Sequence, residues 1–79
     1  MEHEIRIPEV GEDITEVEIA KWHIEEGAKV AIGDRLAELL AEKVEIDLDS
    51  EFEGVVTKVV HPEGAIVEVG GTVAIVESG

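Results

Sequence analysis

The feature that most constrains this chain is that its second half repeats its first. A shift of 37 positions lays Lys21 on Lys58, Glu26 on Glu63, Gly27 on Gly64, Ala28 on Ala65, Gly33 on Gly70 and Ala37 on Ala74. The apolar positions follow in step: Ile19 on Val56, Trp22 on Val59, Val30 on Val67, Ile32 on Val69, Leu36 on Val73 and Leu39 on Val76. Turn formers and core candidates thus coincide together. Half a chain of this length cannot bury an apolar face alone, so the halves must close on each other. The fold expected is all-β: a flattened barrel or sandwich of two short antiparallel sheets related by a pseudo-twofold, a barrel-sandwich hybrid. Its single core is expected to hold Ile19, Trp22, Val30, Ile32, Leu36, Leu39 and their six partners.

Each half divides into short strands broken by glycines. Glu4–Ile7 alternates and stops at Pro8, which suits an edge strand. Thr15–Ile24 is apolar and β-branched, and the three-residue spacing of Ile19 and Trp22 predicts a bulge or a change of strand between them. Helical spacings also occur between Ile14 and Ile24, but Gly27 and Gly33 follow too closely for a helix there. Lys29–Ile32 reads as a short strand between turns at Glu25-Glu26-Gly27 and Gly33-Asp34. A central hairpin then joins the apolar run Arg35–Ala41 to a second strand, in which Val44, Ile46 and Leu48 alternate with Glu45, Asp47 and Asp49.

The tip of that hairpin is Glu42-Lys43, although a tight turn favours Asn, Asp or Gly, which tolerate positive φ. Lys43 is also the sole cation between Arg35 and Lys58 in a chain of net charge -14. An exposed lysine at a turn is ordinary in itself. Its place is not. A two-fold sandwich has two equivalent corners, one where the chain crosses between halves and one where its ends meet. Lys43 occupies the first, a position suited to displaying a reactive group while the far end is tethered.

Composition excludes several function classes. The 79 residues suffice for one domain, 1–79, with a small core. Without cysteine there is no disulfide, zinc-thiolate site or thiol nucleophile. Twenty acidic residues against six basic ones argue against nucleic acid and favour partners with basic surfaces. No run is long enough to span a membrane, and Met1-Glu2-His3-Glu4 lacks the features of a signal peptide, so a cytoplasmic location is expected, or the mitochondrial matrix in a eukaryote. An active site of its own is not expected. His3, at a frayed terminus, and His23 and His61, near turns, read as solvated. Ser50 and Ser78 have no evident triad partners, and Glu45, Asp47 and Asp49 read as a solvated strand face rather than a metal site.

These features together resemble the lipoyl domains of the acyltransferase (E2) components of 2-oxo acid dehydrogenase complexes, over nearly the whole chain. Ile7-Pro8 with Val10-Gly11-Glu12 is similar to that family's opening Pro-x-Ile/Leu-Gly-Glu. Glu16, Ile19 and Trp22 fit its Glu-x-x-Ile-x-x-Trp, and Gly27 with Gly33-Asp34-Arg35-Leu36 fits its paired turns. Glu42-Lys43-Val44 lies where the family carries Asp-Lys-Ala or Asp-Lys-Val. Gly54-Val55-Val56 resembles the Gly-x-Val that opens the second half, and Glu63-Gly64 with Val69-Gly70 closes it. Departures cluster beside the lysine: Glu42 replaces Asp, and Leu40-Ala41 replaces an acidic or polar pair. Away from it, Gly27-Ala28 stands for Gly-Asp, Ser50-Glu51 for Ser-Pro and Glu12-Asp13 for Glu-Gly or Glu-Ser.

The resemblance implies a swinging-arm carrier, with lipoate joined by an amide to Lys43 and with Glu42 and Val44 as flanking recognition residues. It implies as partners a thiamin-diphosphate decarboxylase (E1) that reductively acylates the arm, the acyltransferase core (E2), a flavin-dependent dihydrolipoamide dehydrogenase (E3) and a lipoate ligase, with the isolated domain monomeric. The domain supplies position and local concentration while the arm carries the chemistry. Two other readings compete. One is an unmodified β-sandwich serving as an adaptor. The other is a biotin carrier, whose family sets its lysine between two methionines, whereas Met1 is the only methionine here. A glycine-cleavage carrier would need flanking structure beyond 79 residues.

Overall fold

The computed structural model describes residues 1–78. Eight strands run in chain order: β1 (Glu2–Arg6), β2 (Glu16–Trp22), β3 (Lys29–Val30), β4 (Arg35–Ala41), β5 (Val44–Asp49), β6 (Gly54–Val59), β7 (Ile66–Glu68) and β8 (Thr72–Glu77). They form two four-stranded antiparallel sheets, one in the order β1-β8-β6-β3 and the other β5-β4-β2-β7. Exchanging β1 with β5, β8 with β4, β6 with β2 and β3 with β7 turns one sheet into the other. The expected pseudo-twofold is therefore present, and β2 occupies the segment where a helix was the competing reading.

Symmetry extends to the register. Ile19 pairs with Leu39 and Trp22 with Ala37, while Val56 pairs with Val76 and Val59 with Ala74, each a shift of 37. The bulge expected between Ile19 and Trp22 falls between Ile19 and Lys21, and its counterpart lies between Val56 and Lys58. A bulge lets the strand twist sharply, so the same chain can close one edge of the sandwich and cover its interior. The turns repeat too. Gly27, Gly33, Gly64 and Gly70 all take positive φ, between 87° and 93°, a conformation that costs little only without a Cβ. The Gly27 amide donates to the Val56 carbonyl, as the Gly64 amide does to that of Ile19, so each half's turn is sewn to the other half's strand.

Between the sheets, Val17, Ile19, Leu36, Leu39, Val56, Val73 and Val76 are the largest fully buried side chains. Removing one such side chain, as in Leu36→Ala, typically costs about 2–5 kcal/mol. The core differs from the sequence expectation at its rim. Trp22, Val59 and Val69 are only partly buried, Trp22 directing its indole N–H to the His61 carbonyl at 2.8 Å. Ile32 is not in the core at all but 71% exposed. Strand β3 ends at Val30, and the Asp34 carboxylate accepts the Ala31 amide at 2.8 Å, closing a turn that swings Ile32 outward before alternation can return it inward. The core also includes Ile5, Ile7, Val17, Ala37, Ala41, Leu48 and Ala74.

His3 also departs from expectation. It lies within β1, its ring stacked on Phe52 at 4.0 Å and its Nε2 2.9 Å from the Ser78 hydroxyl, so the chain start is pinned rather than frayed. His23 is bonded to Glu38 at 3.1 Å, on the outer side of the second sheet.

Candidate functional site

Strands β4 and β5 are paired out to Ala41 and Val44, which leaves Glu42-Lys43 as a two-residue turn. Both residues take positive φ, 45° at Glu42 and 71° at Lys43, and they are the only non-glycine residues to do so among those described. Positive φ at both central residues is the signature of the type I′ turn, whose twist matches that of the flanking strands. The geometry of the hairpin thus dictates the backbone, and Asn-Gly would satisfy it at least cost. A left-handed conformation costs an ordinary residue about 1 kcal/mol or more. This turn accepts that cost twice and in return carries two long side chains at its apex.

Glu42, Lys43 and Val44 are all exposed, Val44 by 55%. Just inside the turn Ala41 is buried, which anchors the hairpin to the core. No carboxylate lies within ion-pair distance of Lys43 among the described residues, although Glu42, Glu45, Asp13 and Glu16 are near in sequence or line the same groove. The amine is therefore presented free on a short, double-stranded support. In the symmetry-related position of the other sheet, between β8 and β1, the chain has its ends: Ser78 donates its amide to the Met1 carbonyl at 2.9 Å.

Beside the tip, the loop from Asp13 to Thr15 and the exposed faces of β2, β4 and β7 enclose a shallow groove of about 360 Å³. Ile14, Leu40 and Ile66 give it an apolar floor, and Lys43 itself lines one end. Leu40 is 37% and Ile66 57% exposed. In the sequence Leu40 is a member of the apolar run Arg35–Ala41 and a departure from a family pattern, and an apolar surface there is not expected. The signal was parity: Leu40 shares an outward face with Glu38, two residues before it, while Leu39 between them faces the core.

Of the histidines, serines and strand carboxylates, His3 meets the Ser78 hydroxyl and His23 meets Glu38, two separate pairs at distant points of the sandwich. No grouping of three or more His, Asp or Glu able to hold a metal occurs among the described residues. Buried Ser50 exchanges hydrogen bonds with the Phe52 backbone, a local loop clasp.

The family model described as biotin-requiring enzyme matches residues 3–76. The chain belongs to the biotin/lipoyl carrier family. Among its curated relatives is the dihydrolipoyllysine-residue succinyltransferase component of the 2-oxoglutarate dehydrogenase complex of Bartonella vinsonii subsp. berkhoffii, 38% identical over all of this chain and 19% of the relative. The lipoamide acyltransferase component of the branched-chain alpha-keto acid dehydrogenase complex of Bacillus subtilis (strain 168) is 35% identical over 95% of this chain and 18% of the relative. The chain thus spans about a fifth of the length of these relatives. The solution structure of the lipoyl domain of the 2-oxoglutarate dehydrogenase complex from Azotobacter vinelandii superposes with a TM-score of 0.78 at 26% identity, covering 96% of both chains. The chain is a lipoyl-type carrier domain. No helix among its described residues is long and apolar enough to cross a membrane.

Proposed function

We propose that Lys43 carries lipoate in amide linkage, with Glu42 and Val44 as its recognition flanks, and that the domain shuttles acyl groups and reducing equivalents within a 2-oxo acid dehydrogenase complex. The observation that supports this most is the strained Glu42-Lys43 turn. A hairpin that needs only to reverse direction gains stability from Asn-Gly; one that must present an amine at its apex cannot use it. The site suits a covalent arm because its amine is exposed, makes no ion pair among the described residues and stands on two paired strands. Its flanks are Glu42 and Val44, not the methionines of a biotin carrier.

When bound, lipoate supplies a redox-active dithiolane that accepts and releases acyl groups. The protein's own part is mechanical and electrostatic. The paired strands fix the origin of the arm, the buried Ala41 seats the base of the turn against the core, and amide formation removes the Lys43 charge. The tip then presents only the carboxylates of Glu42 and Glu45 to approaching enzymes, which favours basic clefts and weakens with salt. In this reading the partners are the thiamin-diphosphate decarboxylase, the acyltransferase core, dihydrolipoamide dehydrogenase and a lipoate ligase, working in the bacterial cytoplasm or the mitochondrial matrix.

The direct test is incubation with lipoate, ATP and a lipoate ligase, followed by peptide mass mapping. A single lipoyl adduct on Lys43 is expected. If the protein remains unmodified while a known lipoyl domain is labelled beside it, the unmodified adaptor reading replaces this one.

A further inference from the structure

Lys43 lines one end of the shallow groove on the outer face of the β5-β4-β2-β7 sheet. Within that groove Leu40 and Ile66 flank Glu18 in register, and Ile14 joins them from the loop before β2. Asp13, Glu16 and Glu42 add carboxylates to the same lining. Exposed apolar side chains alone do not single this groove out, since Ile32 is 71% exposed beside Glu51 and Glu53, and Val60 is 37% exposed. The tether does. A chain attached to Lys43 Nζ starts at the end of this groove and has apolar surface within reach.

We infer that this groove is the resting site of the arm itself, whose aliphatic chain lies back over Leu40, Ile66 and Ile14 between encounters with partner enzymes. This rests on the lipoylation of Lys43 proposed above. The residues present fit the group. The groove holds about 360 Å³, toward the small end of ligand sites, which run from roughly 300 to 1,000 Å³. Its floor is apolar, as a hydrocarbon chain ending in a dithiolane requires. Charge decides which form of lipoate it takes. Free lipoate is an anion, and Asp13, Glu16, Glu18 and Glu42 repel it. In the amide that charge is gone together with that of Lys43, so the arm is neutral along its length. The tether decides whether so shallow a groove holds anything. Sheltering two methylene groups favours the docked state by roughly tenfold, and ordering the chain takes back part of that. A free ligand would be absent from so weak a site, but a tethered one is present at an effective concentration of order millimolar. The arm therefore exchanges between docked and released states, and an approaching enzyme can withdraw it. Steering of enzymes to the tip is unaffected, because the docked chain is neutral and leaves the charge of the carboxylates in place.

The test is methyl-selective NMR of the domain before and after loading with lipoate by a lipoate ligase and ATP, with loading verified by intact mass. The Ile14, Leu40 and Ile66 methyl signals are expected to shift and to show nuclear Overhauser contacts with the methylene protons of the arm. Those of Ile32 and Val60 are expected to stay where they were. A chemical readout accompanies this. Dithiothreitol reduces the dithiolane by giving its thiol hydrogens to the arm's sulfurs and closing to its own cyclic disulfide. Docking shelters that S–S bond, so the loaded parent is expected to be reduced at least threefold more slowly than a loaded Leu40→Thr, Ile66→Thr double variant. The threonines keep the strand preference but remove the apolar floor. Ile32→Thr is expected to react as the parent does. Should the double variant fail to fold by circular dichroism, the methyl contacts of the loaded parent decide alone. A loaded parent without those contacts, or one reduced as fast as the folded double variant, would overturn the docked arm while leaving Lys43 as the attachment site. A parent that accepts no lipoate would overturn the attachment and this inference with it.

Discussion

The Glu26 carboxylate accepts a hydrogen bond from the Val59 amide at 2.9 Å, across the boundary between the two halves. Glu63 returns it, accepting the Trp22 amide at the same distance. Trp22 and Val59 pair with Ala37 and Ala74 on one side, but on the other the short strands β7 and β3 reach only as far as Glu18 and Val55. A surface glutamate in each glycine turn therefore completes the hydrogen bonding of the opposite sheet.

Glu26→Ala and Glu63→Ala are each expected to destabilise the domain by about 1 kcal/mol, the usual net worth of such a bond. Glu26→Gln and Glu63→Gln, which keep an acceptor oxygen, are expected to cost less. Chemical denaturation of the four variants measures this. A neutral Glu26→Ala beside a costly Glu63→Ala would mean that the pseudo-twofold is topological only and does not extend to energetics.

Much of this was legible in the sequence because turn glycines, bulges and core residues are set by local rules that the repeat states twice. Ile19, Leu36 and Leu39 with their partners fall in the core as read, and the bulge after Ile19 appears where broken alternation put it. Ile32 was misread because alternation assumes that a strand continues, and nothing in Lys29–Ile32 shows that Asp34 will end it at Val30. His3 was misread because its partners, Phe52 and Ser78, are distant in sequence and meet only through the sandwich. The position of the Lys43 turn was readable from the two apolar runs around it. The groove next to it was not, because Ile14, Leu40 and Ile66 come from three segments whose neighbourhood depends on strand order.

The strain at the tip predicts an engineered gain. Glu42→Asn with Lys43→Gly installs the residues a type I′ turn favours and is expected to stabilise the domain by about 1–2 kcal/mol. At this size each kcal/mol moves the melting temperature by about 4–8 °C. The variant is at the same time unable to accept lipoate. A thermal melt decides the matter, and an unchanged or lower midpoint would show that the turn relaxes its strain in solution.

Charge predicts a salt response. Two ion pairs between full charges occur among the described residues, Glu4 with Arg6 and Arg35 with Asp47, and His23 is hydrogen-bonded to Glu38. Of these, Arg6 holds the Glu4 carboxyl below its ordinary pKa by hydrogen bonding and by its charge, with a smaller hydrogen bond from Thr72. Most of the twenty acidic residues have no such partner. Their mutual repulsion opposes the compact state, and salt screens it. Raising sodium chloride from low to moderate concentration should lift the unfolding midpoint. A midpoint that stays level or falls would mean that these few pairs, and not the net charge, dominate the electrostatics.

The position of the amine, more than its chemistry, is expected to govern modification. Exchanging Glu42→Lys with Lys43→Glu preserves composition, net charge and the number of non-glycine residues at positive φ, so the turn itself is retained. It moves the amine by one residue, and the two apical side chains of a tight turn leave the hairpin in different directions. Lipoylation by ligase, lipoate and ATP is expected to fall at least tenfold in this variant and to vanish in Lys43→Gln, with both proteins folded by circular dichroism. Lys21 and Lys58 serve as controls. They are exposed and equally basic, but they sit beside the two bulges on the body of the sandwich, so peptide mapping should find them unmodified throughout. Equal rates for the parent and the exchanged protein, or a label on Lys21 or Lys58, would show that any exposed lysine on this surface suffices. The strained turn would then need another explanation.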